Sequence, residues 1–197
     1  MAMPFDYPDT TPDEALLAAF AAGDRAAARV LTMRLTPRVL AHAYRLLGNR
    51  AEAEEVAQEA MLRLWRQAPE WRAGEAKVTT WLYRVTANLC TDRRRRARGG
   101  TVPLDAVPEP PDPQPGVAER MQMRTRADAL QGALGDLPER QRQAVVLRHI
   151  EGLANPEIAE IMGASIEAVE SLTTRGRRAL TEALGTRKEE LGYADER

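Results

Sequence analysis

The chain of 197 residues holds one cysteine, two histidines and two phenylalanines, and each scarcity excludes something. The single Cys90 cannot close an internal disulfide, a usage that suits the cytoplasm. It sits inside a helical pattern and reads as packing rather than chemistry. His42 and His149 lie far apart in sequence and far from Cys90, so they read as ordinary helix residues and no metal site is predicted. No nucleophile–base pair and no phosphate-cradling loop is spelled out, so no catalytic residue and no cofactor is expected, and the chain does not read as an enzyme. No apolar run is long enough to cross a membrane and no signal-peptide pattern opens the chain. The expectation is a cytoplasmic protein without direct membrane insertion. A formal net charge of −1 argues against indiscriminate adhesion to polyanions, which puts weight on where the charges fall.

With 44% hydrophobic and 29% charged residues, the composition is that of an ordinary globular protein. Residues 99–116, GGTVPLDAVPEPPDPQPG, interrupt it: six prolines and three glycines in eighteen positions form neither helix nor core. This stretch predicts an extended, acidic linker carrying Asp105, Glu109 and Asp112. On either side the apolar residues recur at helical spacing. The expected fold is therefore all-α, with two small helical domains over residues 13–98 and 117–184. A loose tail is expected over residues 1–12 and a charged, frayed one over 185–197.

In the first domain a helix starts at Thr11 with Pro12 in its first position, and Gly23 ends it. A second runs from Asp24 to about Leu47, and Pro37 is expected to kink or interrupt it. A third spans residues 51–67, with Val56, Ala60, Met61, Leu64 and Trp65 on one face and Glu55, Gln58, Glu59, Leu62 and Arg66 on another. On its residues alone that second face reads as solvated. The fourth begins at Thr79 or Thr80, points Trp81, Leu82, Val85 and Leu89 inward, and ends in RRRRAR at 93–98. Its outer face repeats Arg84, Asn88, Thr91 and Arg95, hydrogen-bonding groups combined with fixed positive charge that could track a nucleic-acid backbone. Trp71, Trp81 and Tyr83 are available in principle to stack on unpaired bases, although both tryptophans read better as core. Five arginines in six positions exceed what helix capping needs.

The second domain opens with a helix over residues 117–134, closed by Gly135 and Asp136. Pro138 starts the next, with Ala144, Val145, Val146, Leu147 and Ile150 as its core and Gly152 at its end. Residues 155–178, NPEIAEIMGASIEAVESLTTRGRR, then carry the most specific local pattern. Asn155 caps a short helix with Pro156 behind it, and Ile158, Ala159, Ile161 and Met162 form its apolar face. Gly163 turns the chain, Ser165 caps the following helix, and Ile166, Val169 and Leu172 form a buried stripe. A small Ala159 at the crossing, Gly163 four residues on and Val169 six further make a helix-turn-helix. The bland alternative is a helical hairpin inside a bundle. Ser171, Thr174, Arg175 and Arg178 on the outward side favour DNA.

The order of these parts resembles the extracytoplasmic-function sigma factors of bacterial RNA polymerase, of the sigma-70 family. GDRAAARVL with RLLGNRAEAEEVAQEAMLRLW is similar to the core of the family's second region, and TTWLYRVTANLCTDRRRR to its promoter-melting helix. LPERQRQAVVLRHIEGL resembles the start of the fourth region and NPEIAEIMGASIEAVES its helix-turn-helix. Together these stretches cover most of residues 14–180. The resemblance implies a region 2 bundle and a region 4 helix-turn-helix, and a transcription initiation factor with no active site of its own. It implies that Glu55, Gln58, Glu59 and Leu62 grip the clamp helices of the largest polymerase subunit, with the flap of the second-largest as a further contact. It places Asn88, Asp92, Arg93, Arg95 and Arg96, with Arg84 of the same face, at the minus-ten element, where a base is extruded to trap the melted state. It places Ser165, Glu167, Glu170, Ser171, Thr174, Arg175 and Arg178 over the minus-35 element. Promoter DNA and an anti-sigma factor are the remaining implied partners, with a stress-response regulon. Glu170 stands where relatives often carry a basic residue, and Leu172-Thr173 where they commonly have Arg-Leu, so upstream base preference does not transfer. The rival reading is a dimeric helix-turn-helix regulator independent of polymerase. It leaves the arginine-ended helix without a task, and no heptad seam supports its dimer.

Overall fold

The computed structural model describes residues 7–72, 74, 76–98, 117–188 and 191, with 98 and 117–120 described as backbone only. The expected linker 99–116 lies outside the described residues. Among them the structure is all-α, with eight α-helices and no strand, and chain contacts separate two compact units, Met1–Thr101 and Val102–Arg197.

The first unit packs α1 (Asp13–Ala21), α2 (Arg25–Leu47), α3 (Arg50–Gln67) and α4 (Val78–Arg98) around one core. Cap chemistry sets the starts. Asp24 accepts from the N–H groups of Ala26 and Ala27, and Asn49 from that of Glu52. Gly48, at φ 74°, reverses the chain between α2 and α3. Leu16, Leu17, Leu31, Leu35, Leu64 and Leu82 are the largest aliphatic residues of the resulting core. Glu14 of α1 reaches the far end of the unit, where its carboxylate accepts from the Val78 N–H at 3.0 Å and caps α4. α1 itself begins one residue later than expected, with Pro12 rather than Thr11 in the capping position.

Three expectations are corrected here. Of the kink or interruption expected at Pro37, the interruption does not occur, and α2 stays helical from Arg25 to Leu47. Its missing N–H leaves the Met33 carbonyl without its helical donor, and Met33 is 58% exposed, so water reaches that site while the buried stripe Leu31, Leu35, Val39 and His42 holds the helix. The second correction concerns the tail: from Tyr7 onward the segment is tied down. The Tyr7 hydroxyl donates to Asp24 at 2.6 Å, which is the main cause holding the Asp24 carboxyl below the ordinary range. Arg34 pairs with Asp13 and donates to the carbonyls of Asp9 and Thr11. The third concerns α4, whose inward face is rotated from the expected one. Val78, Leu82, Tyr83, Thr86, Ala87 and Cys90 are buried, while Trp81, Val85 and Leu89 are half-buried. Tyr83 packs its ring 4.8 Å from that of His42 and offers nothing to a base. Trp71 and Trp81 meet edge to face at 6.0 Å and lean on the core.

The second unit comprises α5 (Val117–Asp136), α6 (Glu139–Val145), α7 (Asn155–Met162) and α8 (Ile166–Gly185), with a π-helical turn at Val146–Ile150. Arg142 fixes the bend between α5 and α6. It is 2% exposed and donates to the carbonyls of Leu134, Gly135 and Leu137, the end of α5 where a cation is favoured. α6 crosses α8 closely at Gly176, where an added Cβ would lie 2.5 Å from Val145 Cγ2. Gly163 at φ 56° makes the turn between α7 and α8, and the Ser165 hydroxyl accepts from the Ala168 N–H, both as expected. Asn155 is not the cap of α7. Ala154 holds that position and the Glu157 carboxylate accepts from its N–H. Ile166 is 42% exposed instead of buried, and Gly176 joins Val169 as the inner line of α8. Of the tail expected to be frayed, residues 189–190 and 192–197 lie outside the described residues, while Leu191 is buried and its carbonyl accepts from Arg126 at 2.9 Å.

Candidate nucleic-acid interface

Along the outer face of α3 the structure adds what the sequence lacked, a depression between α3 and α2. It is an apolar groove of about 320 Å³. Thr32, Thr36 and Leu40 line it from α2, and Ala57, Gln58, Met61, Leu62 and Trp65 from α3, with Glu54 at its edge. Two of the expected contact residues, Gln58 and Leu62, therefore line a concavity, and Leu62 remains 41% exposed there. The α2 contribution was missed because α2 was read only for its bounds and for Pro37. Thr32, Thr36 and Leu40 are spaced four apart and could have flagged it. Three of the four glutamates of α3 already have partners: Glu54 pairs with Arg50 at 3.0 Å, Glu59 with Arg63 at 2.8 Å, and Glu55 with Arg93 of α4. The hydrogen bond from Arg63 is the main cause holding the Glu59 carboxyl below its usual range.

The arginine run at the end of α4 is less available than its density suggests. Arg93 is paired with Glu55, Arg94 donates to the Leu46 carbonyl at the end of α2, and Arg95 pairs with Asp92 at 3.2 Å. Arg94 is thus a structural cap, a role invisible in a run of like residues. Arg84, Asn88, Arg95 and Arg96 are exposed, and Asp92 and Arg93 are half-buried. The exposed face of α4 from Arg84 to Arg96 carries hydrogen-bonding groups and net positive charge.

On α8 all seven expected contact residues are exposed, but they are not equivalent. Ser165 spends its hydroxyl on the cap. The Glu167 backbone N–H, and after it the Ser165 hydroxyl, hold the Glu167 carboxyl below its usual range. Glu170 accepts from the Asn155 side-chain amide at 3.3 Å. Arg175 donates to the carbonyl and hydroxyl of Ser171, at 3.2 and 2.9 Å. Thr174 and Arg178 project without such engagements among the described residues. Beside them Arg177 and Arg148 help hold the imidazole of His149 below its usual pKa, after the larger effect of partial burial. Arg177 was passed over in the sequence, although it belongs to the same RGRR stretch as Arg178.

Among the described residues no group of histidine, cysteine and carboxylate side chains could hold a metal ion, and no helix is long and apolar enough to cross a membrane.

Comparison with known proteins bears on both units. The family described as sigma-70 region 2 matches residues 31–99, and that described as sigma-70 region 4 matches residues 127–180. The ECF RNA polymerase sigma factor SigE of Mycolicibacterium smegmatis is 36% identical over 181 residues, spanning 88% of this chain and 69% of the relative. SigM of Mycobacterium tuberculosis is 38% identical over 175 residues, spanning 88% of this chain and 85% of its own length. Among solved structures, CnrH in complex with the cytosolic domain of CnrY superposes with a TM-score of 0.65 at 26% identity, covering 88% of this chain and 97% of that one.

Proposed function

Since the chain belongs to the extracytoplasmic-function sigma factors of the sigma-70 family, we propose a division of labour in which each exposed face described above takes one part of promoter recognition. The groove between α2 and α3, with Gln58 and Leu62 in its lining and Glu55 and Glu59 beside it, docks the clamp helices of the largest subunit of core RNA polymerase. The outer face of α4, from Arg84 through Asn88 to Asp92, Arg93, Arg95 and Arg96, holds the minus-ten strand. α8 enters the major groove at the minus-35 element with Thr174 and Arg178 leading, while Ser165, Glu167, Glu170, Ser171 and Arg175 flank them. The flap of the second-largest subunit receives the second unit.

The groove carries this reading. A solvated helix face needs no concavity, and an apolar depression with an exposed leucine in its lining favours an apolar protein anchor. Melting without ATP then requires that binding of extruded bases offset unstacking, a cost of a few kcal/mol, and α4 supplies the donors for it. The bond-making chemistry belongs to the polymerase, and the protein acts in the cytoplasm alongside it. The likeness to CnrH, solved with a protein partner, supports control by an anti-sigma factor that covers one of these faces.

The test is binding of purified bacterial core polymerase by the full chain and by a Gln58→Ala/Leu62→Ala variant. Tight binding weakened at least tenfold by the double change is expected, since each lost anchor costs on the order of 1 kcal/mol or more. No binding by the folded wild type, with nanomolar binding to duplex DNA alone, would instead establish a polymerase-independent regulator.

A further inference from the structure

Arg93 and Glu55 stand on surfaces assigned above to different partners, yet in the free chain they hold each other. The Arg93 guanidinium reaches from α4 to the Glu55 carboxylate on α3, across 38 residues of sequence. The neighbouring glutamates differ: Glu54 and Glu59 pair within α3, four residues from their arginines. Only Glu55, of these three, ties α3 to α4. Arg94, the next residue, anchors the same turn of α4 to the Leu46 carbonyl, so the helix end is held and the Arg93 side chain is the part free to change partner.

We propose that the Glu55–Arg93 ion pair is a latch that withholds Arg93 from nucleic-acid phosphates until polymerase engages Glu55. This deepens the sigma-factor reading and rests on it. While paired, Arg93 has spent one of its charged donors, and the Glu55 carboxylate beside it repels a phosphate. When a cationic group of the polymerase takes Glu55, Arg93 is released to the strand. Linkage makes the effect reciprocal, so freeing Glu55 must favour polymerase as much as freeing Arg93 favours DNA. Glu55 is 63% exposed, which places the coupling in the range of exposed ion pairs, at most about fivefold in affinity.

The experiment uses the full chain with Glu55→Gln, Arg93→Gln, both together, and Glu52→Gln as a control for simple loss of negative charge on α3. Binding of a labelled short oligothymidine reads the DNA side, and titration of labelled core polymerase reads the other. Glu55→Gln should tighten oligothymidine binding by the free chain roughly two- to fivefold. It should have no effect in the Arg93→Gln background, nor once polymerase is bound. Arg93→Gln should tighten polymerase binding by a similar factor. An unchanged affinity on both sides overturns the latch. So does a Glu55→Gln effect that survives in the Arg93→Gln background, or that Glu52→Gln reproduces. If free-chain binding to oligothymidine is too weak to resolve, the polymerase titration decides alone. Loss of polymerase binding by the wild type, or oligothymidine binding indifferent to Arg93→Gln both free and polymerase-bound, is the separate failure of the underlying reading.

Discussion

Arg142 shows how a charged side chain becomes a structural element. Its guanidinium is desolvated, which is unfavourable, but three backbone carbonyls at the end of α5 receive it. Methionine fills similar volume without donors, so the Gly135 and Leu137 carbonyls lose the guanidinium and that of Leu134 keeps only the Leu137 N–H. Arg142→Met should therefore destabilise the second unit by about 3 kcal/mol, the cost of breaking buried charge-assisted hydrogen bonds. For a unit of this size that lowers its unfolding midpoint by roughly 10 °C or more. Thermal unfolding followed by circular dichroism, with hydrogen exchange along α5 and α6 to identify the unit, measures it. A midpoint within a degree or two of wild type would show that the carbonyls find water instead. The sequence LPERQRQ did not announce this role, because a buried arginine reads in isolation like any charged residue in a first helical turn. The same holds for Arg93, Arg94 and Glu55, whose contacts join helices far apart in the chain and follow from packing rather than spacing.

At the scale of the helices, a start or turn was legible where its chemistry is local. α2 begins after Asp24, Ser165 caps α8 with its own side chain, and Gly163 takes the left-handed conformation that glycine tolerates. The caps of α1 and α7, by contrast, fall on Pro12 and Ala154 rather than on Thr11 and Asn155. Exposure of most candidate residues on α3, α4 and α8 was legible from helical periodicity, whereas Glu59, Asp92 and Arg93 are half-buried. The rotation of α4 was not legible. Trp81 and Leu89 are far larger than Thr86 and Cys90, yet the small residues lie on the closely packed line and the large ones at its flank. Pro37 misled in part for a related reason, since of the kink or interruption that local propensity forecast, the tertiary stripe of α2 overrides the interruption. Its persistence has a testable consequence. Pro37 is exposed, one residue past Thr36 and one turn short of Leu40, both of which line the groove. Pro37→Ala restores the bond to the Met33 carbonyl and should stabilise the first unit by about 1–3 kcal/mol. The same change redraws the backbone beneath Thr36 and Leu40, so affinity for core polymerase should fall. Denaturant unfolding and polymerase titration on one preparation test both parts. A variant less stable than wild type would mean that the proline fits this helix better than alanine does.

At the scale of the whole molecule, the proposed reading gives each unit its own DNA-binding face, and their affinities combine only when something fixes their spacing. Each face alone is modest, and a bound polymerase turns the second contact into an intramolecular one. The two faces should then fail in different ways. Arg178 projects from α8 without a partner among the described residues, so Arg178→Ala should remove upstream affinity. With the sigma–polymerase complex on a mapped promoter, binding should weaken by about 1–3 kcal/mol, and the salt dependence should drop by roughly one counterion if the contact is to phosphate. On a template that lacks the upstream element the same variant should behave as wild type. Asn88 lies on the exposed face of α4, so Asn88→Ala should slow strand opening on both templates. It should recover on a template premelted around the minus-ten element insofar as Asn88 stabilises the opening rather than the open strand. Run-off transcription from the duplex, upstream-deleted and premelted templates separates these outcomes. If Arg178→Ala impaired the upstream-deleted template as strongly as the complete promoter, the second unit would be acting through polymerase rather than through its own element. The assignment of α8 to DNA would then have to give way to a protein contact.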